Sequence, residues 1–153
     1  MNKLLIGVTG LVLVIISVVA NAQNGVGKPI VKMFDAMRAH DAASLRAQFT
    51  SNAQLQRLKS NGAIVNNDID KFALAVSKST KYLDEQLLAI KTHQSDNLAS
   101  AWTPYVFYID GEISHCGVNS FQLVKVDKQW KIQYLIDNVH SGDCKAFIAS
   151  HKS

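Results

Sequence analysis

The sequence predicts an α+β domain in which three helices precede an antiparallel sheet. Apolar residues recur at helical spacing through the first half of the chain that follows residue 22. From about Tyr82 onward, apolar and polar residues alternate with a period of two, which is typical of half-buried strands. Tight-turn signals such as Asp110-Gly111 separate the alternating segments. Helices followed by an antiparallel meander define the α+β class.

Residues 1–22 predict a cleavable secretory signal. Lys3 supplies a positive charge, residues 4–19 contain no charged side chain, and Ala20-Asn21-Ala22 fits the site that a signal peptidase recognises. The apolar run has 16 residues, whereas a membrane-spanning helix needs about 20. A retained membrane anchor is the alternative interpretation. Cleavage after Ala22 would leave residues 23–153 as a single periplasmic or secreted domain with a net charge of +3.

The first two helices are expected shortly after the predicted secretory signal. Pro29 suits the first turn of a helix, where its missing N–H would have no partner. One apolar stripe then follows at helical spacing: Ile30, Met33, Phe34 and Met37. Asp41 can cap a second, short helix that carries Leu45 and Phe49 on one side. We interpret both stripes as faces that pack in the core.

The third helix is expected to begin near Asn67. Asn67 and Asp70 have the spacing of a capping box, although the usual Ser/Thr and Glu/Gln are absent. A third apolar stripe follows: Ile69, Phe72, Ala73 and Val76. We interpret this stripe as a core face as well.

Four strands are expected in the second half of the chain. Their predicted ranges are Leu83–Thr92, Ala99–Ile109, Ile113–Val126 and Trp130–His140. The polar segment His93–Asn97 would separate the first two strands. Asp110-Gly111 and Asp127-Lys128 would form the two following hairpin turns.

Cys116 and Cys144 are the only cysteines of the chain. An even number of cysteines in an exported protein favours a disulfide. This disulfide would close a loop of 28 residues, which stabilises a fold by about 3–4 kcal/mol. Two free thiols, or a reactive Cys116 beside His115, are the alternatives. Neighbouring residues of a strand face opposite sides, which weakens the case for a Cys–His pair.

Several functional classes lack support in the sequence. The basic residues are scattered without a run of three, so no nucleic-acid-binding patch is expected. His93, His115 and His140 do not have the spacing of metal ligands, so neither a metal nor another cofactor is expected. Gly25-Val26-Gly27-Lys28 lacks the strand and the Ser/Thr of a phosphate-binding loop.

The chain resembles the nuclear transport factor 2-like superfamily, also called SnoaL-like, over about Ile30 to Cys144. Residues 34–41 resemble the first helix of many members. Further residues resemble an exported bacterial group of this superfamily that is named for lumazine binding: Trp102, Tyr105, Phe107, Tyr108, Asp110-Gly111, His115-Cys116-Gly117, Phe121, Leu123, Trp130-Lys131-Ile132, Asp137 and Cys144. The resemblance implies a strongly bent sheet that forms a cone around three helices. An apolar pocket would lie at the open end of this cone.

The resemblance also implies candidate site residues. The candidates for the pocket lining are Trp102, Tyr105, Phe107, His115, Tyr134 and Asp137. The isomerase type of this fold uses a tyrosine of the first helix, and no tyrosine occurs between residues 23 and 81. No catalytic residue is therefore assigned, and the pair to test is His115 with Asp137.

Three functions remain open at this stage. The first is binding of a small apolar or heteroaromatic molecule by an exported domain, without catalysis and without a membrane partner after signal cleavage. The second is a hydratase or isomerase that uses His115 and Asp137. The third is a dimerisation or interaction module that pairs through the outer face of its sheet as a homodimer.

Overall fold

The computed structural model describes residues 25–151. The predicted secretory signal lies outside these residues. The helices are α1 (Lys28–Arg38), α2 (Ala42–Arg46), α3 (Ile69–Lys78) and α4 (Cys144–His151). The strands are β1 (Phe49–Leu58), β2 (Ile64–Asn67), β3 (Leu83–Leu87), β4 (Lys91–Ser95), β5 (Leu98–Ile109), β6 (Glu112–Val126) and β7 (Gln129–Val139). None of the helices within this range is long and apolar enough to span a bilayer.

The strands form one sheet with the order β2-β1-β7-β6-β5-β3, and β4 pairs with β5 next to β3. Every pairing is antiparallel except that of β1 with β7. The sheet has an inner face, which packs against α1 and α3, and an outer face. Helix α2 packs against the two other helices of this layer. Core residues that are completely or almost completely buried come from both layers: Ile30, Met33, Leu45, Phe121, Leu123 and Ile132. The predicted α+β class is confirmed.

Strands β1 and β2 were not predicted. The second helix ends at Arg46, and Phe49, which was expected on that helix, begins β1 instead. Phe49 is buried all the same, because its side chain joins the core from the strand. Most residues of β1 are polar, and its partner β7 lies about 80 residues away in the sequence. Local alternation therefore gives only a weak strand signal here.

The predicted first strand of the sheet is two strands. Residues 88–90 separate β3 from β4, and both strands pair with the long strand β5. Pro104 of β5 lies at this break and has no N–H to donate to the ladder. Its carbonyl oxygen still accepts a hydrogen bond of 2.8 Å from Leu88 N. The turn after β4 is also shorter than predicted, because β4 continues to Ser95.

The caps of the helices are partly as predicted. Asp41 accepts a hydrogen bond of 2.9 Å from Ser44 N and caps α2. The predicted capping box of α3 is wrong, because Asp68 is the capping residue and accepts a hydrogen bond from Lys71 N. Asp70 instead forms an ion pair with Arg46, at 2.7 Å.

Both predicted hairpin turns are confirmed. Asp110 and Gly111 have φ values of 52° and 85°, and Asp127 and Lys128 have φ values of 48° and 64°. Positive φ at both central positions is the requirement of a type I′ turn. A bulge in β6 places His115, rather than Ser114, opposite Phe107 of β5. Bulges of this kind increase the bend of a sheet.

Cys116 and Cys144 form a disulfide that joins β6 to the start of α4. Helix α4 was not predicted, and it packs against β5 and β6. The Phe147 ring stacks on His140 at 4.8 Å and on His151 at 4.3 Å between ring centroids. The disulfide and this ring stack attach the C-terminal segment to the sheet.

Candidate functional site

A cavity of about 310 Å³ lies between the helices and the inner face of the sheet. Its volume is at the lower end of the range for small-molecule sites. Apolar side chains from α1, α3 and the strands form most of its wall, among them Met33, Phe34, Met37, Phe72, Phe107 and Leu135. Its polar residues are Arg57, Asn67, Glu85, His115, Asn119 and Asp137.

The register of the strands brings the polar residues together. Arg57 of β1 is paired with Asp137 of β7, and Asp137 is paired with Asn119 of β6. Asn119 is in turn paired with Thr103 of β5. Because residues in register across a sheet face the same side, these side chains form one polar row on the inner face. Thr103 and Asn119 are buried.

Arg57 and Asp137 form a bidentate ion pair. Arg57 Nε lies 2.9 Å from Asp137 Oδ2 and 3.1 Å from Oδ1, and a terminal guanidinium nitrogen also contacts Oδ2. The Asp137 side chain is only 11% exposed, whereas that of Arg57 is 42% exposed. The hydrogen bond to Asp137 raises the pKa of Arg57 further above its ordinary value. The Asp137 carboxylate is therefore occupied by its counter-ion.

Tyr105 lies behind this pair and is completely buried. Its hydroxyl is 3.0 Å from the Asn138 carbonyl oxygen and 3.4 Å from Asp137 Oδ2. Burial raises the pKa of Tyr105, and the nearby Glu85 and Asp137 raise it further. The phenol therefore keeps its proton and supports Asp137.

Glu85 is a partly buried acid in the cavity wall. Its Oε1 accepts a hydrogen bond of 2.7 Å from Asn119 Nδ2, which also lies 3.3 Å from Thr103 Oγ1. Burial raises the pKa of Glu85 to about 8, and the hydrogen bond from Asn119 only partly opposes this. Glu85 is therefore mostly protonated and uncharged at neutral pH.

His115 lines the cavity beside two aromatic rings. Its ring centroid lies 5.1 Å from that of Phe107 and 5.8 Å from that of Tyr105. Its Nδ1 is 3.1 Å from Ser114 Oγ. Burial and the positive charge of Arg57 lower the pKa of His115, while Asp137 opposes the shift. The imidazole is therefore neutral at neutral pH.

A scan against protein-family models and a search of curated protein sequences found no match. Solved structures do match. One is an aromatic ring hydroxylase candidate from Novosphingobium aromaticivorans, with 14% identity, a TM-score of 0.66, and coverage of 80% of this chain and 92% of that one. Another is a proposed dehydratase from the nuclear transport factor 2-like family of Streptomyces avermitilis, with 12% identity, a TM-score of 0.63, and coverage of 76% and 94%.

A third match, from Novosphingobium aromaticivorans, is a nuclear transport factor 2-like protein with a cystatin-like fold. It has 11% identity and a TM-score of 0.64, with coverage of 88% of this chain and 91% of that one. This chain has the nuclear transport factor 2-like fold. The resemblance inferred from the sequence is thus confirmed for the fold. At these identities, the likeness says nothing about the chemistry of the cavity.

Three of the six predicted site residues line the cavity: Phe107, His115 and Asp137. Trp102 is 53% exposed on the outer face. Tyr134 also faces outward, where its hydroxyl lies 2.6 Å from Gln56 Oε1. No hydrogen bond or ion pair joins His115 to Asp137, and ligand binding by Phe107 and His115 stays a prediction. Within residues 25–151, no group of three or more His, Cys, Asp or Glu side chains is arranged for a metal ion.

Four polar residues of the cavity were not predicted as site residues: Arg57, Asn67, Glu85 and Asn119. Arg57 lies on β1, which the sequence pattern did not indicate. Glu85 alternates with Leu83 and Leu87 and lies on the same face of β3 as these two residues. Asn119 lies on the same face of β6 as the buried Phe121. A polar residue on an otherwise apolar strand face was the available signal for Glu85 and Asn119.

Proposed function

We propose that this domain binds a small, uncharged and largely apolar molecule that carries a hydrogen-bond acceptor. The cavity offers apolar walls on both its helical and its sheet side. The charges of Arg57 and Asp137 cancel each other, and Glu85 and His115 are mostly neutral at neutral pH. A charged ligand would lose its hydration there without gaining a free counter-ion, which is costly.

The observation that carries this proposal is the position of Glu85 in the cavity wall, where Asn119 Nδ2 donates a hydrogen bond of 2.7 Å to its Oε1. Burial there raises the pKa of Glu85 to about 8, which favours the protonated carboxyl at neutral pH. Because Asn119 donates to Oε1, the second oxygen can carry the proton and donate it in a hydrogen bond. A carbonyl or hydroxyl oxygen of a ligand that lies on Phe107 would accept this bond. The fit is the usual one for ligand sites, where a few polar groups orient a mainly apolar molecule.

A thermal-shift screen with aromatic ketones, phenols and heteroaromatic compounds tests the proposal. A ligand at saturating concentration should raise the melting temperature by several degrees, because it binds only the folded state. Phe107→Ala should abolish the shift. Trp102→Ala, which removes an aromatic ring from the outer face, should leave it unchanged. An equal shift in both variants would contradict binding in this cavity.

A second candidate function is acid–base catalysis by Glu85 and His115. Glu85 is paired with Phe107, and Phe107 is paired with His115, so the two groups flank one aromatic ring. Their Cα atoms are about two strand spacings apart, roughly 10 Å. A substrate over Phe107 could meet the acid on one side and the base on the other. Glu85 replaces Asp137 in this version of the hypothesis, because Arg57 already occupies Asp137.

Deuterium incorporation next to the carbonyl of a bound ketone in heavy water tests the catalytic version. Glu85→Gln and His115→Asn should each abolish exchange. Binding should persist in both variants, as seen by thermal shift. A ketone that binds to the wild-type protein without exchange would leave binding as the function and reject catalysis.

We also propose that the domain acts outside the cytoplasm. The Cys116–Cys144 disulfide supports an oxidising compartment. Mass spectrometry of protein from the periplasm or the culture medium should find an N-terminus at Gln23. A chain that keeps residues 1–22 would reject cleavage and favour the membrane-anchor alternative.

The homodimer implied by the resemblance also stays a prediction, which light scattering can test.

A further inference from the structure

A second cleft, of about 390 Å³, lies where the N-terminal end of α1, the α2–β1 connection and the β6–β7 turn meet. It shares no lining residue with the cavity described above. Its wall is formed by residues 25, 28, 29, 32, 47, 48 and 128–131. We call this feature the lysine cleft.

The lysine cleft concentrates positive charge. Lys28, Lys32, Lys128 and Lys131 line it, and no lining residue carries a carboxylate. Lys125 adds a fifth ammonium group, at 5.6 Å from the centroid of the Trp130 ring. In the part of the chain that the structure describes, none of these five lysines forms an ion pair.

The sequence pattern did not indicate this concentration of positive charge. The basic residues are scattered along the chain, but the start of α1 and the β6–β7 turn meet in space. Asp127 is the one acid of this turn, and it is outnumbered by the lysines around it. Lys131 is held in place by a hydrogen bond of 2.7 Å from its Nζ to the Ala47 carbonyl oxygen.

We propose that the lysine cleft binds the anionic phospholipid surface of a membrane. Clusters of four or more lysines are attracted to anionic headgroups. Trp130 lies in the middle of these lysines and is partly exposed. A tryptophan ring has an apolar body and a polar N–H, and it is therefore favoured at the membrane–water interface. Lysines with a central tryptophan suit a lipid surface better than a small soluble anion.

The connection of the chain to its N-terminal segment supports the same partner. Gly25 lines the lysine cleft, and it lies only six positions after Val19, the last residue of the apolar run. Six extended residues span at most about 20 Å. Whenever residues 4–19 are in a bilayer, the lysine cleft is therefore close to the lipid headgroups.

Vesicle co-sedimentation tests this proposal, with protein purified from the cell fraction that contains it and its N-terminus determined by mass spectrometry. The protein should bind vesicles that contain phosphatidylglycerol, should not bind vesicles of phosphatidylcholine alone, and should be released by added salt. The double variant Lys28→Gln/Lys128→Gln should weaken binding on the order of 20-fold, since each lysine near the surface contributes about fivefold. The matched control, Lys59→Gln/Lys145→Gln, removes the same charge elsewhere and should have little effect.

Three outcomes would overturn the proposal. The first is a wild-type protein that does not bind phosphatidylglycerol vesicles, including the case in which inorganic phosphate alone stabilises it. The second is an equal loss of binding in the cleft variant and the control, which would assign binding to net charge. The third is equal binding of the wild-type protein and the cleft variant to both kinds of vesicle, which would assign membrane contact to residues 4–19.

Discussion

Asn119 donates a hydrogen bond of 2.7 Å to Glu85, although the two residues lie on strands that are not neighbours. Strand β5 separates β6 from β3, and in a flat sheet their backbones would be about 10 Å apart. The bend of the sheet brings the two side chains into contact across β5. The same bend encloses the cavity, so one geometric feature both forms the site and holds its acid.

The raised pKa of Glu85 predicts a specific pH dependence of stability. The carboxyl has an ordinary pKa of 4.5 when the chain is unfolded and a pKa of about 8 when it is folded. Between pH 4.5 and 8, the folded state therefore keeps a proton on Glu85 that the unfolded state has lost. The stabilisation that this proton gives to the folded state is present in full below about pH 4.5. It is lost as the pH rises through about 8. Each unit of pKa difference corresponds to about 1.4 kcal/mol, so the change is expected to be a few kcal/mol.

Urea denaturation of the wild-type protein and Glu85→Gln at a series of pH values measures this effect. The free energy of unfolding of the wild-type protein should fall relative to that of Glu85→Gln as the pH rises from 4.5 to 8. Glu112→Gln removes an exposed acid and is the matched control. Parallel curves for the wild-type protein and Glu85→Gln would show that Glu85 is ionised in the fold.

The titration of His115 should respond in opposite directions to the two members of the ion pair. Arg57 lowers the pKa of His115 and Asp137 raises it. We expect Arg57→Gln to raise this pKa and Asp137→Asn to lower it further. Both changes can be followed by NMR of the imidazole protons across pH. Shifts in the same direction for the two variants would show that a change of structure, rather than charge, controls His115.

Gly117 is required by a close approach of backbone. A Cβ atom at this position would lie 2.0 Å from the Asn138 carbonyl oxygen and 3.0 Å from the Tyr105 hydroxyl. Gly117→Ala should therefore lower the free energy of unfolding by about 2 kcal/mol or more, since a packed core resists added volume. Ser120→Ala, on the same strand, is the control. Chemical denaturation that gives equal stability for the wild-type protein and Gly117→Ala would contradict this packing.

The disulfide should contribute about 3–4 kcal/mol to stability, because it closes a loop of 28 residues in the unfolded chain. Urea denaturation with and without a reducing agent measures the contribution. The double variant Cys116→Ala/Cys144→Ala should have a free energy of unfolding that is lower than that of the oxidised wild-type protein by this amount. The reducing agent should not change its stability. A wild-type protein that is equally stable after complete reduction would refute the prediction.

Prediction from the sequence succeeded where a local pattern was sufficient. The stripe of α1, the Asp41 cap and the two type I′ turns each depend on residues that are close in the chain. Strand β1 was missed because its stability comes from pairing with β7, and the capping box of α3 failed because Asp68 lies next to Asn67 and competes with it. Trp102 was predicted to line the pocket because it is aromatic, but its position in the alternation of β5 places it on the outer face.

The amino-acid pattern alone was enough to predict the α+β class and the two disulfide partners. It was also enough to place Phe107 and His115 on two neighbouring strands. Only the tertiary structure decided that Asp137 is held by Arg57 and that Glu85 contacts Asn119. It also decided that four lysines from two separate parts of the chain line one cleft. The physical reason is distance along the chain. Turns, caps and periodicity are encoded by neighbouring residues. The charge state of Glu85 depends instead on burial and on partners that a bent sheet brings together from separate strands.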